Sequence, residues 1–188
     1  MSPAGGSSIL ESRRQMAYLT LERQQEIDHV ITQVQLDTGL AYPENSLLEI
    51  AKALNLEVMN ADFGERSNVR GAVDPKKRRI YLNANYRTRE VNAFTLAHEI
   101  GHYLLHDGQK LRIDKYDYSQ NTKESQEESE ANYFAASLLV PARTLARLLS
   151  LTEGGQISEI AKYFGVSEPV IRNRIQWLTK NQTRQIAR

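Results

Sequence analysis

The chain has 188 residues, with 24 Lys and Arg against 23 Asp and Glu, a formal net charge of +1, and 40% hydrophobic and 25% charged residues. That length holds one ordinary domain with a small helical appendage and excludes two full-sized domains, while the charge balance excludes a polycation. Cysteine is absent, so disulfides, a thiolate nucleophile and cysteine-based zinc sites are excluded, and any metal must be held by histidines and carboxylates. No window approaches the roughly 18 uncharged apolar residues of a membrane span, and Met1 to Leu10 lack the basic and apolar regions of a signal peptide. A soluble cytoplasmic protein with no membrane partner is expected.

Met1 to Ser8 are small and polar, and a disordered leader is expected there. From Thr20 to Thr38 the residues Leu21, Ile27, Val30, Ile31, Val34 and Leu36 recur at helical spacing, with Gly39 placed to end the helix. Pro43 opens a second helical run with the stripe Leu47, Leu48, Ile50, Ala51 and Leu54, and Leu56 to Met59 reads as a short strand. Val69 to Asn83 has the pattern of a hairpin turning on Asp74-Pro75-Lys76-Lys77, and the four cations Lys76 to Arg79 read as its solvated tip. Tyr86 to Leu105 is helical and stops at His106-Asp107-Gly108, after which Gln109 to Ser125 reads as a surface loop. Helix resumes to Leu139, breaks at Pro141 and continues from Ala142 to Leu149. Gly154-Gly155 is a hinge before two short helices ending near Leu178. The expected fold is α+β, mostly helical, with a small three-stranded sheet. It divides into a leader (1–8), a main domain (9–150) and a helical segment (151–188).

The sharpest chemical signal is His98-Glu99-Ile100-Gly101-His102. Residues four apart on a helix share a face about 5 to 6 Å apart, so both imidazoles can reach one Zn²⁺, while Glu99 projects to the adjoining side, where it can accept a proton from the attacking water. Ala93, Phe94, Leu96, Ala97, Ile100, Leu104 and Leu105 make this helix apolar around much of its circumference. It is therefore a buried helix, and burying His-Glu-His needs a reason such as a metal.

A catalytic zinc needs a third protein ligand and an open position. Position 108, where a third histidine would stand, is Gly108, and His106 lies a further turn on, beyond a metal shared by His98 and His102. It is expected to end the helix or support the ligands from behind. The alternative is a glutamate of the next helix: Glu124, Glu127, Glu128 or Glu130. At about 100° per residue, Glu127 and Glu128 each lie about 50° from the centre of the apolar face formed by Ala131, Phe134, Ala135, Leu138 and Leu139, and Glu130 about 110° away. Glu130 is thus expected to face water. Glu128 has a further merit in Asn132, one turn on, which could orient a ligating histidine through its other ring nitrogen. Tyr116, Tyr118 and Tyr133 are candidates for steadying an oxyanion, and a substrate peptide is expected to add as a strand along Arg79 to Asn83, thus along Ile80, Tyr81, Leu82 and Asn83.

The run Phe94 to His106 and the run Glu128 to Pro141 together resemble the ImmA/IrrE family of zinc peptidases, with weaker similarity from about Pro43 to Ile175. The resemblance implies a zincin-like peptidase fold and one zinc ion on His98, His102 and, by its distance from Asn132, Glu128, with Glu99 catalytic. It also implies a bacterial or phage regulatory role in which the protein substrate is a helix-turn-helix repressor, cleaved or inactivated to switch on mobile-element or stress genes.

Ile157 to Ile175 carries a helix-turn-helix pattern, with Ala161 in the first helix, Gly165 at the turn and Val170, Ile171 and Ile175 anchoring the second. From Lys162 onward six cations face Glu168 alone, a local charge of +5. Arg172, Asn173 and Gln176 are the candidate DNA contacts, which sets a second expectation beside the peptidase: a DNA-binding regulator with a structural or idle metal site. The bland alternative is that these helices complete the peptidase core.

Overall fold

A computed structural model of the chain describes residues 19–64, 69–85, 88–106, 112–115, 123–151 and 156–186. Helices α1 (Leu21–Thr38) and α2 (Leu47–Ala53) precede strands β1 (Glu57–Ala61), β2 (Val69–Asp74) and β3 (Arg79–Asn83). Helix α3 (Arg89–Leu105), strand β4 (Arg112–Lys115) and helices α4 (Lys123–Leu139), α5 (Ala142–Leu151), α6 (Ile157–Phe164) and α7 (Glu168–Ile186) follow. The expected leader (1–8), Tyr86 and the Gly154-Gly155 hinge lie outside the described residues. No single described helix is long and apolar enough to cross a membrane.

Local chemistry sets the helix ends. Thr20 caps α1 by accepting from the Arg23 N–H at 3.2 Å, and Gly39 closes it in the left-handed region at φ 68°. Helix α2 starts at Leu47 rather than at Pro43 because Ser46 and Glu49 form a reciprocal capping box, worth about 1 kcal/mol.

The sheet has the order β1-β3-β2-β4, with β1 parallel to β3 and the other neighbours antiparallel. The α+β class holds, but the sheet has a fourth strand within the stretch expected to be loop. Arg112-Ile113-Asp114-Lys115 is too short to show alternation, and its pairing with β2 defines it as a strand. Strand β3 is an inner strand, held from Glu57↔Arg79 to Ala61↔Asn83 on one side and from Gly71↔Leu82 to Asp74↔Arg79 on the other. A peptide therefore cannot add along Ile80, Tyr81, Leu82 and Asn83, whose main chain is already paired. Ile80 and Leu82 are core residues, and Asn83 ties the strand ends together by donating from Nδ2 to the Val69 carbonyl at 2.6 Å. At the basic hairpin tip, Lys77 pairs with Asp74 at 3.5 Å and Arg79 with Glu57 at 2.6 Å.

One hydrophobic core draws on Ile27 and Ile31 of α1, Ile50 of α2, Ile80 of β3, Leu96 and Ile100 of α3, Phe134 and Leu138 of α4, Phe164 of α6 and Ile171 of α7. The expected division near residue 150 thus brings no division of the core. Helices α6 and α7 meet at Gly165, left-handed at φ 60°. Tyr42 donates its hydroxyl to the Phe164 carbonyl, buried Arg174 donates from Nε to the Val140 carbonyl at 3.2 Å, and the Trp177 ring lies 4.6 Å from that of Tyr133. Helix α7 also runs past the expected stop at Leu178 to Ile186. Removing residues 152–188 would uncover apolar core and orphan the Val140 carbonyl. Loss of a cooperative thermal transition, followed by circular dichroism, is expected; a truncated protein that melts like the full chain would show the helices to be a separable module.

Candidate metal centre

Helix α3 runs beneath β2 and β3 and pairs with α4 in the most extensive helix–helix contact among the described residues. It presents His98, Glu99 and His102 to the interior, all almost wholly buried. Small residues permit the close approach: Ala131 and Ala135 are fully buried, and a Cβ on Gly101 would stand 3.0 Å from Cδ1 of Phe134. This proximity is what lets a carboxylate of α4 reach the imidazoles of α3.

Three side chains converge there. His98 Nε2 and His102 Nε2 are 3.0 Å apart, and the Glu128 carboxylate lies 3.1 Å from the first through Oε2 and 3.0 Å from the second through Oε1. A metal with bonds of about 2.0 to 2.1 Å and tetrahedral angles separates its ligands by about 3.3 Å, close to these separations. Among the described residues these three form the group able to hold a metal ion. Glu127 does not join it.

The histidines are oriented from behind. His98 Nδ1 lies 3.0 Å from Oδ1 of Asn132, an acceptor, so its proton sits on Nδ1 and the Nε2 lone pair points inward. His102 Nδ1 lies 3.0 Å from Nδ1 of His106. Bare Nε2 atoms and a carboxylate packed this tightly repel one another unless a cation stands among them, so the donor set fits a divalent metal. Burial is the largest influence on His102 and holds it below the ordinary imidazole range, favouring the neutral ring that a metal needs; burial raises the Glu128 carboxyl, and its closeness to the two imidazoles more than offsets this.

Glu130 is the correction. It is not turned to water but buried, its Oε2 accepting from Arg23 at 2.6 Å and lying 3.1 Å from His106 Nε2, while Oε1 accepts from Gln126 at 3.1 Å. Helical phase weighs only the apolar face of α4 and is blind to a cation arriving from α1. Tyr133 is also redirected. Its hydroxyl donates to Asp28 at 2.9 Å, away from the metal cluster, and Tyr116 and Tyr118 lie outside the described residues. On α7, Arg172 is exposed and bonded to Glu168 at 3.2 Å, Gln176 is exposed, Asn173 is half-buried, and Arg174 is withdrawn from the basic surface by burial.

Gly71 of β2 has a role that sequence reasoning missed. A Cβ there would stand 2.7 Å from Cγ2 of Thr95 and 2.8 Å from Oε1 of Glu99, so the bare backbone is what makes room for the buried carboxylate. A glycine in the interior of a strand, between Val69 and Val73, was the available signal.

An α+β fold with a buried His-Glu-x-x-His helix, completed by a glutamate from the following helix, defines the class of helix-borne metallopeptidases. The sequence agrees. The model of the IrrE N-terminal-like domain (Peptidase_M78) matches residues 51–176, and the chain belongs to that metallopeptidase family. It is 38% identical over 100 residues to the radiation response metalloprotease IrrE of Deinococcus deserti, covering 52% of this chain and 35% of that protein. Against the protein of the same name from Deinococcus radiodurans, identity is 37% with 52% and 30% covered. The metallopeptidase ImmA of Bacillus subtilis is 27% identical over 126 residues, 65% of this chain and 70% of that protein. The chain thus spans about a third of the length of the two IrrE relatives.

Gly71→Ala is expected to cost about 1 to 3 kcal/mol by overpacking, and to lower turnover further by displacing Glu99. Chemical denaturation and a peptidase assay read the two effects; an unchanged activity would mean that Glu99 tolerates displacement.

Proposed function

We propose that the chain is a zinc-dependent endopeptidase holding one zinc ion on His98, His102 and Glu128, with Glu99 as its proton-transferring base. The observation that carries this reading is the cluster of His98 Nε2, His102 Nε2 and the two Glu128 carboxylate oxygens, with separations of 3.0 to 3.1 Å, beside the buried Glu99. Zinc bound there would supply Lewis acidity, polarising a peptide carbonyl and acidifying a water. Glu99, on the β2 side of the helix, takes the proton from the attacking water and delivers it to the leaving amine. Glu128 is the most exposed of the three ligands, with about a quarter of its side chain accessible, and marks the side on which substrate enters.

The substrate chain is held as an added strand on β4. That strand is the outer neighbour of β2, which carries Gly71 against Glu99, and among the described residues no further strand pairs with its outer edge. Main-chain pairing asks little of side-chain sequence, so selectivity comes from docking a folded partner. The partner we propose is a helix-turn-helix repressor, in keeping with the regulatory role that the family resemblance implies.

A second reading, a DNA-binding regulator with an idle metal site, draws on exposed Arg172 and Gln176, one turn apart on α7. It requires binding to a specific duplex that weakens steeply with salt.

Purified protein is expected to contain zinc, or to take it up on reconstitution. Glu128→Gln should lose most of that affinity, and Glu99→Gln should keep the metal while turnover falls about 10²- to 10⁴-fold. Metal analysis together with cleavage of a candidate repressor, against casein as control, checks all three. Absence of zinc from wild type, or indiscriminate digestion of casein, counts against the proposal.

A further inference from the structure

Two side chains hold the proposed zinc ligands from behind, and they differ in reach. Asn132 acts on His98 directly from α4. His102 instead leads into a longer chain of contacts: Nδ1 to His106 Nδ1 at 3.0 Å, His106 Nε2 to Glu130 Oε2 at 3.1 Å, and that same oxygen to the Arg23 guanidinium at 2.6 Å. His106 and Glu130 are both buried.

Hydrogen-bond bookkeeping gives this chain one direction. Arg23 can only donate, and Glu130 answers with an acceptor. Its Oε2 receives Arg23 and its Oε1 receives Gln126, one donor on each oxygen, so the carboxylate faces His106 as an acceptor. It can meet His106 Nε2 only if that nitrogen carries the proton. Where His102 binds a metal through Nε2, which faces Glu128 and His98, its proton stands on Nδ1, and the group 3.0 Å from that nitrogen is His106 Nδ1 as acceptor.

We propose that Arg23, Glu130 and His106 form a positioning relay that fixes His102 in its metal-binding tautomer, making helix α1 part of the metal centre although it lies outside the region matched by the family. The relay rests on the metal-site reading. His106 is thereby a positioning residue and not a fourth ligand, since both of its ring nitrogens are engaged elsewhere. Nothing in α1 resembles a metal motif; the link exists because the α1–α4 packing carries Arg23 to the rear of the site.

The test uses the full chain. Zinc affinity is read by competition with a chromogenic chelator, alongside thermal unfolding of the metal-free protein. His106→Leu and Glu130→Leu are expected to weaken zinc binding about 10- to 100-fold. His106→Gln and Glu130→Gln, whose amide oxygens can still accept, should retain more affinity than the leucine variants. Arg23→Ala should give a smaller loss, because Gln126 still donates to Glu130; an affinity equal to wild type would remove α1 from the relay. Ring-nitrogen NMR of wild type should place the His106 proton on Nε2, and the zinc-loaded protein should show a slowly exchanging His102 Nδ1–H that Glu130→Leu loses. A His106 proton on Nδ1, or a folded His106→Leu protein that binds zinc as tightly as wild type, overturns the relay. Should a leucine variant fail to fold, the wild-type proton positions decide. If wild type binds no zinc, the metal-site reading falls, and the position of the His106 proton still judges the relay separately.

Discussion

The separation between α3 and α4 is the distance on which everything else depends. Two imidazoles on one helix and a carboxylate on the other can share a point only if the backbones run close, and each backbone provides small residues for this, Gly101 on α3 and Ala131 and Ala135 on α4. The rest of the core fills in around that contact: Phe134 presses on Gly101, and β2 covers the opposite side of α3 with Gly71. A larger residue at any of these positions would change the reach of Glu128 or Glu99 before it changed the fold.

Burial then decides the electrostatics. In a largely buried site a carboxylate and two imidazoles offset their desolvation chiefly through one another and through a shared cation, which suits an ionised Glu128 beside a neutral His102. Behind the two imidazoles, Asn132 Oδ1 and His106 Nδ1 stand 3.0 Å from the Nδ1 atoms of His98 and His102. Contacts run from Arg23 through Glu130, His106 and His102 to Glu128.

Much of this could be read from the chain, because it depends on local periodicity. The four-residue spacing of His98 and His102, the apolar circumference of α3, the end of α1 at Gly39 and the favoured position of Glu128 beside Asn132 all follow from spacing and residue type. What could not be read depends on partners distant in sequence. Glu130 looked solvent-facing because helical phase does not know that Arg23, 107 residues away, comes to meet it. Strand β3 looked open because a hairpin pattern says nothing about β1 pairing along its other side. Arg174 counted as surface charge until its place against the Val140 carbonyl and the Tyr133 and Trp177 rings was seen.

Tyr133 lies on α4 little more than a turn from Glu128. Its hydroxyl is held by Asp28 of α1, and its ring is met by the tilted ring of Trp177 and by the guanidinium of Arg174, both of α7. The earliest and latest described helices therefore meet on one side chain of the element that carries the third ligand atom. The seating of α1 and of α7 against α4 therefore depends in part on the same side chain, on the helix that also carries Glu128. One phenol ring is thus a common seat for the first and last described helices.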